Sequence, residues 1–168
     1  SGEYSGEDAE IVFTRNVPLL KKMNEVVSFV EQVYANPNEM LLGTAVAINI
    51  AGRQRMLSQK IGKEVCQIAL GWRAEDVADT LKKTINLFET SHGALANGMA
   101  AAGVLPPPTP EIADALTAFE ARWAGMKTFV TGLMEGQPVD REALAVFARE
   151  NDVLLKEMHA IVGMYEKA

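Results

Sequence analysis

The sequence predicts an all-α fold: an elongated, antiparallel up-and-down four-helix bundle with an additional N-terminal helix. Three observations predict it. Apolar residues recur at alternating three- and four-residue spacing, most cleanly from Ile112 to Leu133. Breakers are few and fall between such stretches: Ala35-Asn36-Pro37-Asn38, Gly71, Pro106-Pro107-Pro108, and Gly136 with Pro138. No segment reads as a credible strand. With 168 residues, 48% apolar and 23% charged, the chain has the makings of an ordinary globular core.

The first helix reads from Asp8 to Tyr34, with Val12, Leu19, Met23, Val26 and Val30 on one stripe, Asn16 in register and Ser5 as its cap. The second reads from about Glu39 to Gly71. The third spans about Ala74 to Asn97, with Val77, Leu81, Ile85, Phe88, Leu95 and Met99 on one side and Gly98 and Gly103 closing it. Thr109 then offers an N-cap oxygen, and Pro110 fits the first helical position, where a missing N–H costs nothing. The fourth helix carries Ile112, Leu116, Phe119, Trp123, Met126, Val130 and Leu133, a heptad seam that packs helices near +20°. Asp140 caps the fifth, whose seam is Leu144, Phe147, Asn151, Leu154, Met158, Ile161 and Tyr165. Short connections make neighbouring helices antiparallel.

One internal similarity bears on domain organisation. The stretch from Asn16 to Gln32 matches the stretch starting at Asn151 in seven of 17 positions, at an offset of 135. Two readings stand: shared composition of two amphipathic helices, or a first helix that ends a preceding repeat unit. The second reading divides the chain into residues 1–38, an N-terminal helix closing a preceding unit, and residues 39–168, a complete four-helix bundle.

Charge narrows the function. Lys and Arg number 16 against 22 Asp and Glu, a net charge of −6, which argues against nucleic-acid binding and against a membrane-surface helix. No run is long and apolar enough to span a bilayer. The single cysteine, Cys66, excludes an intramolecular disulfide and reads as a small packed residue. The Ser1-Gly2-Glu3 start carries no secretory signal and reads as a processed end.

Against that acidic background, Leu41 to Lys63 contains Arg53, Arg55, Lys60 and Lys63 and no acid. The helix carrying them has two lines. Val46, Ile50, Leu57, Ile61, Val65, Ile68 and Trp72 form a stripe expected to face the core. Ile48, Gly52, Arg55, Gln59, Gly62 and Cys66 form a second line, with Arg55 about 160° from the stripe at 100° per residue. Gly52 and Gly62 let another backbone approach, and Ala51 and Ser58 widen the groove. A second copy of the helix across a two-fold axis fits there, and two Arg55 guanidinium groups then converge. Their repulsion calls for a small anion, which an arginine fork binds well. The candidate ligand-binding residues are Arg55 as principal group, with Gly52, Arg53 and Gln59 in support and Asn49 and Ser58 from the same stretch. The blander reading is a solvated basic face, paired to Glu39, Glu64 or acids of other helices.

Other chemistry is weaker. Glu89 and His92 make half of a di-iron pattern whose second half is missing, so His92 reads as a hydrogen-bonded core histidine. The methionines fall mostly on seams and read as packing. No haem-attachment, phosphate-loop, nucleophile or paired-carboxylate motif appears, so neither a catalytic residue, a metal nor a cofactor is expected.

The run Asn49-Ile50-Ala51-Gly52-Arg53-Gln54-Arg55-Met56-Leu57-Ser58-Gln59-Lys60 resembles the signature of the N-terminal sensing domain of type IV pilus methyl-accepting chemotaxis transducers. It is also similar to the periplasmic motif of nitrate/nitrite sensor kinases, which usually carry Tyr where this chain has Gln59. The resemblance implies a non-enzymatic, extracytoplasmic (periplasmic) four-helix bundle that binds a small oxyanion, nitrate or nitrite, at a homodimer interface. It maps the family's arginine onto Arg55 and its glycine onto Gly52. It further implies a membrane-bound signalling partner serving chemotaxis or two-component signalling. The alternative is a helical scaffold whose basic helix docks an acidic partner helix and binds no small molecule.

Overall fold

The computed structural model describes residues 6–34 and 42–168. The Ser5 cap and the Ala35-Asn36-Pro37-Asn38 stop lie outside them. In order, the elements are α1 (Gly6–Tyr34), α2 (Leu42–Ala69), α3 (Ala74–Asn97), a 3-10 turn (Ala100–Ala102), α4 (Pro110–Met134) and α5 (Arg141–Tyr165). Among the described residues no strand forms, and Met99 and Val104 make an isolated bridge. No described helix is long and apolar enough to cross a membrane.

The chain divides into two compact units, Ser1–Met40 and Leu41–Ala168. In the first, α1 runs through Pro18 without ending. Its stripe of Val12, Leu19, Met23, Val26 and Val30 is exposed.

In the second unit, α2 packs on α3 and on α5, and α4 packs on α5 and on α3, which closes a four-helix bundle. The side-chain register shows that neighbours run antiparallel. Gln54 and Lys60 of α2 reach Phe88 and Thr84 of α3, so one number rises as the other falls. Arg55 reaches His159, while Gly62 lies against Asn151, so α5 runs the same way against α2.

The seams of α4 and α5 form as their periodicity predicts. Ile112, Leu116, Phe119, Trp123, Met126, Val130 and Leu133 are all buried. So are Phe147, Asn151, Leu154, Met158, Ile161 and Tyr165, with Leu144 packed at the margin. Thr109 accepts from the Ile112 N–H at 3.3 Å and Asp140 from the Glu142 N–H at 3.0 Å, so both predicted caps are made. Met99 departs from expectation. Gly98, at φ 76°, turns the chain out of α3 before it, and Met99 is exposed.

The interior of α2 departs further. Ala47, Ala51, Gln54, Leu57, Ser58, Ile61, Glu64, Val65 and Gln67 are buried, whereas Val46, Ile50, Ile68 and Trp72 of the predicted stripe are half-buried. Because α3 and α5 approach α2 from two sides, the buried arc is wider than one apolar stripe. Small residues permit that approach, and two polar ones inside the arc are hydrogen-bonded, one to α3 and one within α2. Gln54 Nε2 donates to the Phe88 carbonyl at 3.0 Å, and Ser58 Oγ donates to the Arg55 carbonyl at 2.8 Å.

Candidate functional site

Arg55 leaves the middle of α2 at its seam with α5, half-buried rather than turned fully away from the bundle. Its Nη1 donates to Nδ1 of His159 at 2.8 Å. Its Nη2 lies over Gly52, 3.9 Å from where a Cβ would stand, and nothing else lies within 4 Å of that point. The missing side chain at Gly52 therefore leaves an open floor beside the guanidinium. Arginine can only donate, so the His159 ring is neutral in this contact, with its proton assigned to Nε2.

The charge of Arg55 is thus met by an uncharged partner. Among the described residues no carboxylate stands within ion-pair distance of it. Arg122 on α4 shows the contrast. Its Nε donates to both carboxylate oxygens of Glu157 at 2.9 Å, and its Nη1 to Glu150. These bonds, outweighing desolvation, raise its pKa above the ordinary arginine value. Lys60 is likewise compensated, bonded to Glu64 and to the Thr84 hydroxyl. Lys63 is half-buried, and desolvation holds its pKa below the ordinary lysine value against the opposing charge of Glu64. Of the basic island read from the sequence, Lys60 is thus paired, while Arg55, the exposed Arg53 and the half-buried Lys63 have no carboxylate within ion-pair distance among the described residues.

The other predicted site residues scatter around this centre. Gln59 is exposed one turn beyond Arg55. Asn49 is half-buried and already engaged. Ser58 is buried, and its hydroxyl is spent on the Arg55 carbonyl, so it supports the backbone of the site and does not widen the groove. Gly62 also differs from expectation. A Cβ there would fall 2.7 Å from Asn151 Nδ2, so its space is filled by α5 of the same chain and not left for a second α2. Cys66 is exposed, not packed. The structure thus brings together Gly52, Arg55 and His159. His159 escaped the sequence reading because it lies 104 positions from Arg55, and only the antiparallel register of α5 pairs them.

A second cleft of about 290 Å³ opens between α3 and α4, beside Phe88, Glu89, His92, Phe119, Trp123 and Lys127. Its charges are self-compensated. Glu89 accepts from Trp123 Nε1 at 2.9 Å and pairs with Lys127 at 2.6 Å. Burial opposes ionisation of Glu89, but the bonds from Lys127 and Trp123 outweigh it and hold its pKa below the usual value. His92 is buried, as expected of a core histidine, and stacks on Phe119 with centroids 5.1 Å apart. Contrary to expectation, neither ring nitrogen has a hydrogen-bond partner among the described residues. Burial lowers its pKa, against the weaker pull of Glu120 and the Leu116 carbonyl. An unfolded histidine titrates near about 6.5. The unfolded chain therefore takes up a proton that the folded one refuses, and stability falls as pH drops below that value. Urea unfolding at about pH 5 and about pH 7.5 checks this: His92→Phe is expected to lose less stability on the acid side than the parent. Among the described residues, no group of three His, Cys, Asp or Glu side chains could hold a metal ion.

The class of protein is that of an all-helical domain with a guanidinium lacking a carboxylate partner beside an open glycine. Residues 38–147 match the family of type IV pili methyl-accepting chemotaxis transducer N-terminal domains, PilJ, and the chain belongs to that family. It is 33% identical over 117 residues to the methyl-accepting chemotaxis protein McpN of Pseudomonas aeruginosa, across 70% of this chain. It spans 21% of that protein's length. It is also similar to the ligand-binding domain of the P. aeruginosa nitrate receptor McpN, with 30% identity and a TM-score of 0.62, covering 73% of this chain and 94% of that one. The chain is accordingly a sensor-type ligand-binding domain of the chemoreceptor kind and not an enzyme.

Proposed function

We propose that this domain senses a small oxyanion, nitrate or nitrite, at an interface between two copies of α2 on the periplasmic side of a membrane. Occupancy then biases helix offset or dimerisation, and a membrane-bound partner in chemotaxis or two-component signalling reads that bias as a population shift. The observation that carries the reading is Arg55, whose positive charge meets only a neutral imidazole while Arg122 and Lys60 have carboxylates. The similarity to a nitrate receptor's ligand-binding domain supports the choice of anion. Residues 39–168 form the sensing unit in this reading, and residues 1–38 close a preceding one. The heptad-matched similarity of Asn16, Leu19 and Met23 to the buried Asn151, Leu154 and Met158 favours that division.

Two arginines related by a two-fold axis repel until an anion bridges them. Each charge-assisted hydrogen bond contributes about 1.5–3 kcal/mol. Arg55→Ala is therefore expected to weaken nitrate binding by on the order of tenfold to a hundredfold or more. Calorimetric titration with nitrate, nitrite, sulfate, chloride and acetate measures it, with sedimentation reporting whether the dimer grows with nitrate. Unchanged affinity in Arg55→Ala removes Arg55 from the site. A parent protein that binds none of these anions leaves the scaffold reading.

A further inference from the structure

We infer that His159 is a second anion-binding residue at the Arg55 site and that it makes anion binding proton-linked. The inference rests on the oxyanion reading of Arg55. The two side chains satisfy each other: Arg55 Nη1 donates and His159 Nδ1 accepts at 2.8 Å. That contact exists only while the ring is neutral. Once protonated, both ring nitrogens donate and neither accepts, so a hydrogen bond becomes two cations face to face. An anion between them reverses the sign, because it accepts from the guanidinium and the imidazolium alike. The empty site therefore favours the neutral ring, and the filled site favours the charged one. Anion binding and proton uptake reinforce each other, and affinity rises as pH falls.

The surroundings leave this role to His159. The α5 helix packs against α2 and α4. From α4, Arg122 is held by Glu150 and Glu157. From α2, Lys60 turns to Glu64 and Thr84, while Arg53 is exposed and Lys63 lies two turns further along. On α5 itself, Lys156 and Asp152 are exposed. Of these groups, histidine is the one whose charge changes between about pH 5 and 8. His159 is itself exposed, so its ring is free to meet an incoming anion. The linkage has a mechanical side. The Arg55–His159 bond joins α2 to α5 directly, whereas an anion bridges them through a third body, so anion binding alters the contact between the basic helix and the last helix of the bundle.

The test is calorimetric titration of the full chain with nitrate, which does not itself titrate in this range, at about pH 5.5 and about pH 8.5, on either side of the histidine range. The parent is expected to bind about tenfold tighter at the acid pH, the gain that one added charge-assisted hydrogen bond gives. Repeating the titration at about pH 6.5, inside the histidine range, in buffers of different ionisation enthalpy is expected to show proton uptake on binding. His159→Gln keeps an oxygen that accepts from Arg55 but cannot titrate. It is expected to lose the acid-side gain, falling about tenfold to the alkaline affinity, and to take up no proton. A parent whose nitrate affinity is the same at both pH values, or a His159→Gln variant that keeps the full pH dependence, overturns the role of His159 while leaving Arg55 in place. A parent that binds no nitrate at either pH overturns the oxyanion reading and this inference with it.

Discussion

Truncating Phe119 to alanine is expected to lower the unfolding free energy by about 3–5 kcal/mol, the range for large-to-small changes at fully packed aromatic sites. Phe119 is 1% exposed and stands at the centre of the α3–α4 contact. Its ring centroid lies 5.8 Å from that of Phe88 and 5.1 Å from that of His92, and Phe88 in turn meets Trp123 edge-on at 5.0 Å. The substitution thus removes the apolar area of one ring and leaves its neighbours facing a void. The open cleft beside these rings gives the surrounding helices little to close with. Domains of this kind are stable by about 5–15 kcal/mol, so the loss is a large share of the whole. A fall in melting temperature of roughly 10 °C follows for a bundle of this size. Urea unfolding followed by both helical circular dichroism and tryptophan fluorescence measures it, since Trp123 reports from the same cluster. A loss below about 1.5 kcal/mol means that the helices collapse onto the gap and that the cluster is looser than its distances imply.

What could be read from the sequence depended on how each helix is buried. The fourth and fifth helices bury one narrow face, so a three-four apolar rhythm names the interior residues from Ile112 to Leu133 and from Phe147 to Tyr165 except Gly132 and Val162, which lie beside the seam. The α2 helix defeats that rule because two neighbours press on it. Gln54, Ser58 and Glu64 lie inside, and no apolar count could place them there. Gly62 looked like Gly52 by spacing, yet Asn151 covers one while only Arg55 borders the other. The α1 stripe was equally visible, but a periodic pattern says that a face is apolar and not what covers it. At the site, the Ala51-Gly52-Arg53-Gln54-Arg55 run pointed to the centre because charge and glycine are unusual together in a buried helix. The partner of Arg55 was illegible, since nothing local marks His159.

Lys60→Met tests which of the two readings of the basic island holds at this lysine. Lys60 read as one of four cations of a basic island, with pairing to Glu64 as the blander alternative, and Glu64 does neutralise it inside the bundle. The Glu64 side chain is 3% exposed and that of Lys60 is 20% exposed. The ammonium also bonds to Thr84 Oγ1, while Glu64 Oε2 has no partner among the described residues. Removing the ammonium strands a carboxylate in a low-dielectric interior, for which about 3–5 kcal/mol of lost stability is expected. The companion change restores most of that loss. In Lys60→Met with Glu64→Leu both charges are gone, and replacing a buried pair by apolar groups of similar volume is near neutral or stabilising. A double-mutant cycle by urea unfolding reads the coupling directly, and additive losses would mean that the pair is not buried as described. The same variants separate two accounts of anion binding. If the basic island acts as a diffuse positive field, loss of Lys60 weakens nitrate binding about as much as loss of Arg55. If the site is Arg55 over Gly52, the double variant folds and binds nitrate with the parent's affinity, because the charge it lacks was already cancelled by its neighbour.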